Sequence, residues 1–492
     1  MRGGILRRLY FSLALLALAP IWSASYLPTS DGPSHLYNSW VLHQLVRGSP
    51  GPVADWYAID WRPLPNWLGH AVMALLMMVV PPLIAEKFLV SGIVLLFLYA
   101  IWRYAGAADE SHQVFAFLAF PFAYNLLLQQ GFYNFCISAA LYFLVLAVWW
   151  KRRDTPDART IAVVAGLLLL CYFSHPMSTV LAIGSIGILW LATLRGRPLA
   201  IHARHLVALL PVLPLLAWFF RVQGVSLARA PVSAAGLFSY IMRMWVLLTF
   251  DEFQAKLGFA LFLALAALFI ITLIRRRWRW SEGDAFILVT LALVLVYARA
   301  PAASSGGTMI MERMALFVVL SPIVWLAPRL PRRATIALVI VLSVVSVAYT
   351  GYLVRRYRGL SRRVTELVRS ADTIGRDTAF VPLIRDVRPH GSFVAVQMHA
   401  IDYAAIEKGS VDIANYEAAA GFFPIRFRAG IAPPDTNTAG PRVNEIDLTS
   451  YLARVPYVFL WHVSDDAPVM SQLATCCERV GASNGGRVYL KH

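Results

Sequence analysis

Residues 132–153, FYNFCISAALYFLVLAVWWKRR, form an apolar run that ends in three consecutive cations, Lys151, Arg152 and Arg153. The run is long enough to cross, as one helix, a hydrocarbon core about 30 Å thick. Clusters of Lys and Arg beside such runs are typical of the cytoplasmic ends of membrane-spanning helices. This stretch therefore predicts a transmembrane helix that enters the cytoplasm at Lys151.

The composition of the whole chain extends this interpretation. Of 492 residues, 59% are hydrophobic and 14% are charged, and the mean hydropathy is +0.61. This balance excludes an ordinary water-soluble enzyme. The net charge of +17 does not indicate a nucleic-acid partner, because the cations cluster at the ends of apolar runs, where lipid headgroups and topology account for them. The four cysteines have neither disulfide nor metal-site spacing.

Clusters of basic residues recur along the chain and indicate which turns between the apolar runs are cytoplasmic. Each cluster borders an apolar run, so each predicts a cytoplasmic position. They comprise Arg2, Arg7 and Arg8; Lys151, Arg152 and Arg153; Arg195 and Arg197; Arg275, Arg276, Arg277 and Arg279; and Arg329, Arg332 and Arg333. The predicted spans are 1–22, 88–102, 114–128, 132–150, 160–175, 177–194, 205–220, 256–274, 285–300, 314–328 and 334–352. The sequence thus predicts about eleven transmembrane helices, with the N-terminus cytoplasmic and the C-terminus outside.

Three regions follow from this topology. Residues 1–352 form a transmembrane module, whose first span is uncleaved and whose first outer loop, 26–87, includes an interfacial helix at 67–80. Residues 353–371 form a basic juxtamembrane linker. Residues 372–492 form a small domain with strands at 392–397, 457–461 and 487–490. The predicted fold class is an all-α polytopic protein of the inner (plasma) membrane with a C-terminal extracytoplasmic α/β domain.

Polar residues that topology does not require gather in the predicted outer loops. They are Asp31, His35, Tyr37, Asn38, Asp55, Asp60 and Arg62 in the first loop; Gln129, Gln130, Tyr133 and Asn134 in the second; His175 in the third; Arg221, Arg229, Arg243, Asp251 and Glu252 in the fourth; and Arg299, Glu312 and Arg313 in the fifth. Loops that meet at one membrane face can line one cavity. We therefore expect a functional site that opens to the extracytoplasmic side.

The sequence SDGPSHLYN, residues 30–38, directly follows the first span and opens a predicted helix, with Pro33 near its first turn. Asp31 then has two interpretations. It is an N-cap, because Asp is favoured where free backbone N–H groups need an acceptor, or it is a functional carboxylate.

This arrangement resembles the GT-C superfamily of integral-membrane glycosyltransferases, which use polyprenyl-phosphate sugars. In that superfamily the first outer loop begins with an acidic residue a few positions before a His or Tyr, here Asp31 and His35. It ends with a Pro-containing segment that leads into an aromatic helix, here residues 63–68, PLPNWL. The first loop lacks the adjacent Asp-Glu pair of protein mannosyltransferases, and the second lacks the acidic motif of oligosaccharyltransferases, so neither subfamily is implied.

The resemblance implies transfer of a sugar from a polyprenyl-phosphate donor to a glycan, lipid or protein acceptor at the membrane. Because phosphate is a good leaving group, one carboxylate suffices as general base. Asp31 is the candidate base. His35, one helical turn later, is a candidate orienting or acceptor-binding group.

Arginine offers a planar fork of donors that matches phosphate oxygens, so we assign the donor phosphate to Arg313, with Arg243 and Arg299 as supplementary contacts. The alternative role of Arg313 is a salt bridge to Glu312 or snorkelling toward the headgroups. The candidate substrate-binding residues are Tyr37, Asn38, Asp60, Gln130, Tyr133, Asn134, His175 and Glu312. We expect no required cofactor. Asp31, His35, Asp55 and Asp60 offer ligand atoms for a divalent metal, but their spacing fits no fixed metal motif.

Three other classes make different predictions. A transporter or flippase of an anionic, lipid-linked substrate uses the same arginines, but it predicts ionisable residues near the membrane midplane. An O-antigen polymerase or ligase predicts a long polar outer loop late in the chain, whereas the longest loop here comes first. A purely structural membrane protein does not explain the outer polar residues. The sequence therefore favours the glycosyltransferase.

Overall fold

The computed structural model describes residues 3–194, 196, 198–224, 227–228, 233–247, 249–276, 280–300, 303–304, 308–326, 330–483 and 485–492. Seven arginines that the topology and loop assignments used lie outside these ranges: Arg2, Arg195, Arg197, Arg229, Arg277, Arg279 and Arg329.

Helices make up most of the described chain, as the apolar runs predict. In chain order they are α1 Gly3–Leu16, α2 Ala19–Ser23, α3 Gly32–Arg47, α4 Pro52–Trp56, α5 Trp67–Leu76, α6 Pro82–Ala105, α7 Leu126–Gln129, α8 Tyr133–Arg152, α9 Ala158–Ser174, α10 Pro176–Ala192, α11 Leu199–Leu209, α12 Leu213–Gln223, α13 Ala234–Met242, α14 Glu252–Arg276, α15 Ala285–Arg299, α16 Ile310–Leu320, α17 Arg332–Ser370, α18 Ile401–Lys408, α19 Tyr416–Ala420, α20 Thr449–Leu452 and α21 Pro468–Cys476. Segments of 3-10 helix cover Glu110–Tyr124, Trp245–Leu247, Glu282–Asp284, Ser321–Val324 and Gly440–Glu445.

The strands of the described chain are short. They are β1 Tyr57–Ile59, β2 Leu227–Ala228, β3 Ala303–Ser304, β4 Ala379–Ile384, β5 Val411–Asp412, β6 Ile425–Phe427, β7 Tyr457–Trp461, β8 Cys477–Ser483 and β9 Gly486–Lys491. One sheet has the order β5-β4-β7-β9-β8, in which β4 is parallel to both neighbours and β9 is antiparallel to β7 and β8. β1 pairs with β6, and β2 with β3, both antiparallel.

Each predicted span overlaps a helical element, but these elements differ in length. Within the described residues, six segments have the length and hydropathy of a membrane span: Gly4–Ser23, Pro82–Ala105, Glu110–Gln129, Tyr133–Arg152, Glu252–Arg276 and Arg332–Ser370. The bent pair α11 and α12 gives a seventh if its 44° bend lies within one span. α9 and α10 are apolar but shorter. The chain thus has the helices of a polytopic membrane protein, and the count of about eleven crossings stays a prediction.

The C-terminal region contains two predicted strands and lacks a third. β7 and β9 confirm the strands predicted at 457–461 and 487–490. The strand predicted at 392–397 was wrong, because these residues form turns. Val394 is fully buried, yet its main-chain N–H donates to the Ser392 hydroxyl and the N–H of Gln397 donates to the carbonyl of Val387. A short apolar run does not distinguish a strand from such a buried loop.

The basic stretch predicted as a linker, 353–371, continues a helix almost to its end. α17 runs without interruption for 39 residues, from the apolar span into the arginine-rich segment. In that segment Leu353, Tyr357, Leu360 and Val364 recur at helical spacing and are buried, while the arginines lie between them. This amphipathic pattern keeps the segment helical.

The chain divides into two compact units. The helical unit contains Met1–Ala19, Ser91–Leu128 and Tyr133–Tyr352, and the mixed unit contains Pro20–Val90, Gln129–Phe132 and Leu353–His492. In the core of the helical unit, Tyr104 contacts Phe143 and Phe286 edge-on and donates a hydrogen bond to a main-chain carbonyl. The mixed unit combines the first outer loop with the C-terminal region, which β1 and β6 join directly.

α3 is a core helix of the mixed unit. Pro33 lies in its first turn, and Gly48, with φ of 62°, ends it in the left-handed conformation that glycine adopts easily. Every residue from 32 to 42 is buried. The polar side chains on this stretch therefore need partners inside the protein. Asp31, which precedes the helix, is the N-cap residue.

Candidate active site

Asp31 occupies the N-cap position without acting as a capping group. Its side chain makes no hydrogen bond to the free N–H groups of α3. Instead, a carboxylate oxygen of Asp31 accepts a hydrogen bond of 3.4 Å from the Tyr416 hydroxyl. The side chain of Asp31 therefore does not cap α3, and its proposed role as a functional carboxylate stays a prediction.

The segment between α7 and α8 holds the main chain of Asp31 in place. The N–H of Ser30 donates to the carbonyl of Gln129 over 3.2 Å, and that of Asp31 donates to the carbonyl of Gln130 over 2.9 Å. Gly131 has a φ of +83°, and a Cβ at this position would lie 2.3 Å from the backbone nitrogen of Gly32. Only glycine fits here. Gln130, predicted to bind substrate, therefore contributes its main chain to this site, and a side-chain role stays a prediction.

Asp31 lines a cavity of about 240 Å³ inside the mixed unit. Its polar lining comprises Asp31, His399, Asp412, Tyr416, Thr436, Asn437 and Thr438. Pro382, Ile384, Met398 and Ile401 provide apolar walls. This combination of apolar walls with a few convergent polar groups is typical of small-molecule sites. A larger open groove of about 580 Å³ lies elsewhere in the unit, but its charged groups, Asp465 and Arg487, pair with each other.

Two titratable groups of this cavity, His399 and Tyr416, are uncharged near pH 7. Burial lowers the pKa of His399, so its imidazole is uncharged. Burial and the neighbouring Asp31 raise the pKa of the Tyr416 phenol well above its usual value, so it stays protonated and donates. Asp402 and Asp412 form a buried carboxyl pair. Burial raises the pKa of Asp412 to about 6, and burial together with Asp412 raises that of Asp402 well above its usual range.

His35, predicted to assist Asp31, turns toward a different cluster. Its Nδ1 lies 2.9 Å from a carboxylate oxygen of Glu417, whose other oxygen lies 2.7 Å from Nε2 of His70. Burial by itself lowers the pKa of His35, but the surrounding carboxylates, chiefly Glu417, together raise it. Burial raises the pKa of Glu417, and the two histidines more than reverse this and lower it. The sequence analysis missed His70 and Glu417. A His within the apolar helix WLGHAVMALL was the available signal, since a buried imidazole needs a polar partner.

The other predicted first-loop residues mostly hold the fold. The Tyr37 hydroxyl accepts from the N–H of Asp412 over 3.1 Å. Asn38 and Asn415 exchange two amide hydrogen bonds of 3.0 and 2.8 Å. Asp60 is buried and accepts hydrogen bonds of 2.9 and 3.0 Å from Arg62 Nε. These contacts tie α3 and the first loop to the C-terminal region, and substrate contacts from these residues stay predictions.

Arg313 belongs to the helical unit, where it is buried in the first turn of α16. Its Nη1 donates to Nε2 of His175 over 2.6 Å, and its guanidinium lies 5.1 Å from the centre of the Phe135 ring. The structure thus brings together two predicted site residues from the third and fifth outer loops. The neighbouring Glu312 hydrogen-bonds to Tyr240.

The remaining predicted residues are also part of the helical unit. Tyr133 and Asn134 are buried at the start of α8. Arg243 and Arg299 are exposed at the ends of α13 and α15. An exposed arginine at a helix end has the ordinary roles of solvation and charge compensation at the helix terminus. Their assignment to the donor phosphate stays a prediction.

No protein-family model and no curated protein matches the chain. Among solved structures, it is similar to the arabinofuranosyltransferase AftD from Mycobacteria in two cryo-EM classes of a mutant. One class has a TM-score of 0.54 and 14% identity and covers 98% of this chain and 41% of AftD. The other has a TM-score of 0.51 and 14% identity and covers 99% of this chain and 41% of AftD.

ArnT from Cupriavidus metallidurans, in a crystal structure bound to undecaprenyl phosphate, matches with a TM-score of 0.47 and 11% identity, covering 99% of this chain and 98% of ArnT. This chain spans about two fifths of the length of AftD, 41%. AftD is a GT-C glycosyltransferase. The resemblance that the first loop and the topology predicted is thereby confirmed at the level of the fold: the chain has the fold of the GT-C integral-membrane glycosyltransferases.

Proposed function

We propose that the protein is a membrane glycosyltransferase that moves a sugar from a polyprenyl-phosphate donor to an acceptor on the extracytoplasmic face, with Asp31 as general base. The observation that carries this proposal is the environment of Asp31. Its carboxylate opens on a cavity whose His399 is uncharged and whose Tyr416 is protonated. Asp412, the other carboxyl group of the lining, is paired with Asp402, so Asp31 is the proposed base of this cavity.

The proposed reaction needs one base and one group that holds the leaving phosphate. Asp31 takes the proton of an acceptor hydroxyl as that oxygen attacks the anomeric carbon of the donor sugar. The bond from the anomeric carbon to the phosphate oxygen breaks, and polyprenyl phosphate leaves with both electrons of that bond. The hydrogen bond from Tyr416 orients the Asp31 carboxylate before the proton moves.

Arg313 is the proposed contact of the donor phosphate. Its guanidinium is fixed on one side by His175 and on one face by Phe135. A guanidinium held in this way loses little conformational freedom when it forms a two-pronged contact with phosphate oxygens. Arg243 and Arg299 are proposed as supplementary contacts, and Tyr133, Asn134, His175 and Glu312 as substrate contacts. We propose the plasma membrane as the location, with the N-terminus cytoplasmic and the C-terminus outside.

A transporter or flippase of an anionic lipid is the second candidate. The buried pair of Arg313 and His175 favours it, since ionisable residues inside the helical part of a membrane protein often mark a transport path. A transporter does not require a carboxylate in the cavity of Asp31. The two candidates therefore differ in whether the lipid substrate is cleaved.

The experiment that tests the proposal follows the fate of the lipid. The purified protein, reconstituted in lipid vesicles, receives a panel of synthetic polyprenyl-phosphate sugars together with membrane extract as acceptor source. We expect release of polyprenyl phosphate from at least one donor, dependent on the extract. Movement of labelled undecaprenyl phosphate between leaflets, without cleavage of any donor, would instead establish the transporter.

A further inference from the structure

Three side chains from distant parts of the chain converge at a buried point of the mixed unit. His35 lies on α3, His70 on α5 and Glu417 on α19. All three are buried, His70 and Glu417 completely. One ligand atom from each lies within 4.8 Å of the others. These residues lie outside the lining of the Asp31 cavity.

The hydrogen bonds of His70 fix which of its ring nitrogens carries a proton. Its Nδ1 lies 2.9 Å from the main-chain oxygen of Asn66. A carbonyl oxygen only accepts, so Nδ1 carries the hydrogen and donates it. In the neutral ring Nε2 then has a lone pair, and this lone pair points at a carboxylate oxygen of Glu417 only 2.7 Å away. Two such atoms at this distance require a positive charge between them, which is either a proton or a metal ion.

The geometry has further features of a metal centre. Histidine ligands of metals characteristically donate their second ring N–H to a carbonyl or carboxylate, as His70 does. The rings of His35 and His70 stand at 89° to each other and direct nitrogens to the two oxygens of the same carboxylate. Phe423 packs against both rings. Two imidazoles with one carboxylate form a ligand set that zinc uses.

The charge of the surroundings also favours a cation. The carboxylates of Glu417, Asp31 and Glu86 all act electrostatically on His35. With two neutral imidazoles and one carboxylate, the three ligands carry a single negative charge, so a bound divalent ion leaves the cluster with one positive charge. Binding of such an ion therefore balances charges that burial would otherwise make costly.

We propose that His35, His70 and Glu417 bind one divalent transition-metal ion of the zinc class. This inference goes beyond the proposed sugar transfer and does not depend on it. The ion joins α3, α5 and α19, three helices that are distant in sequence. It also fixes the position of Tyr416, which neighbours Glu417 and donates to Asp31. The ion is a structural clamp beside the cavity, and the transfer reaction itself is not routed through it.

The first test measures the metal content of the full-length protein, purified without a polyhistidine tag and without chelators. We expect about one zinc equivalent per chain by inductively coupled plasma mass spectrometry, and about a tenth or less in His70→Ala and Glu417→Gln. His43→Ala is the matched control. His43 lies on α3, the helix of His35, where its Nδ1 contacts the main-chain oxygen of Ala74, and this variant should keep the full metal content. Equal metal content in all variants would overturn the proposal.

A second measurement decides the matter if the variants do not fold. Wild-type protein, stripped of metal with a soluble chelator, is titrated with Co²⁺ and its visible spectrum is recorded. We expect the absorption of a low-symmetry nitrogen- and oxygen-ligated cobalt site, saturating at about one equivalent and disappearing when Zn²⁺ is added. If the purified protein contains no metal and the stripped protein shows no cobalt absorption, the cluster is a proton-bridged ion pair and the proposal is wrong.

Discussion

The contacts of Asp31 and Arg313 can be compared with those expected if each residue had only a structural role. Each has an ordinary alternative: helix capping for Asp31, and a salt bridge to Glu312 or snorkelling for Arg313. The Asp31 carboxylate makes no cap hydrogen bond and reaches the Tyr416 hydroxyl instead. Arg313 is buried and directed at His175, whereas a snorkelling arginine places its charge in the headgroup region. These contacts distinguish Asp31 from a helix cap and Arg313 from a snorkelling arginine, and their roles in sugar transfer stay predictions.

Replacing Arg313 tests the proposed contact with the donor phosphate. Arg313→Ala removes a charge-assisted pair of hydrogen bonds and should weaken binding of undecaprenyl phosphate by about ten- to a hundred-fold. Arg313→Lys should restore binding only in part, because a point charge replaces a planar fork. Affinity in detergent, measured by microscale thermophoresis, provides the readout.

Arg103→Ala is the control for this series. Arg103 is also part of the helical unit, and its guanidinium donates to the Tyr99 hydroxyl over 2.8 Å. Its removal should leave the affinity unchanged. Equal affinities of wild type and both Arg313 variants would remove Arg313 from the proposed site.

At the scale of elements, the start of α3 depends on a neighbouring segment as much as on its own sequence. The carbonyls of Gln129 and Gln130 accept from Ser30 and Asp31, and Gly131 lets the two backbones meet. Within this contact a side-chain methyl has no room. The position of the proposed base is therefore set by the second outer loop.

Gly131→Ala should displace the N-terminus of α3. Both Gly131 and Gly48 have positive φ values, +83° and +62°, so alanine at either costs about 1 kcal/mol of conformational strain. Only at Gly131 does the new Cβ also strike a backbone atom, at 2.3 Å, whereas Gly48 faces open space. We expect Gly131→Ala to lower turnover by about a hundred-fold, since a shift of about 1 Å is costly in an active site. Gly48→Ala should retain most of the activity.

Turnover and the thermal unfolding temperature are measured for both variants, Gly131→Ala and Gly48→Ala. A Gly131→Ala protein that is as active and as stable as Gly48→Ala would contradict the close contact between 129–132 and α3.

Sequence patterns predicted some elements well because those elements are local. The apolar runs predicted the helices, and the strand-like runs at 457–461 and 487–490 predicted β7 and β9. β4 was missed because its sequence, AFVPLI, contains a proline, which is unusual in a central strand. Pro382 is tolerated because β5 pairs only with Ala379 and Phe380 and ends before it. The contact between His70 and Glu417 could not be predicted, since the two residues lie 347 positions apart and only folding brings them together.

For the whole molecule, the arrangement of charges along the chain defines the proposed orientation. The mixed unit contains the first outer loop and the C-terminal region together. If the first loop is extracytoplasmic, the pairing of β1 with β6 requires the C-terminal region to be on the same side. The first loop and the C-terminal region must therefore lie on the same side of the membrane, so one experiment determines the side of both.

A reporter fused after His492 tests this orientation. Alkaline phosphatase, which is active only outside the cytoplasm, should be active there and inactive when fused after Arg153, at the predicted cytoplasmic end of α8. The reverse pattern would mean that the span count is wrong by one, and an extracytoplasmic site would then no longer be tenable.

The turnover of Asp31→Asn tests the central claim most directly. Asparagine keeps the shape of the side chain and its ability to accept from Tyr416, but it does not take a proton at neutral pH. With a donor identified for the wild type, we expect release of polyprenyl phosphate to fall by about a thousand-fold or more, while folding and donor binding stay unchanged. Asp55→Asn, at an exposed position on α4, should remain fully active. Near-normal turnover by a well-folded Asp31→Asn protein would contradict the assignment of Asp31 as the base.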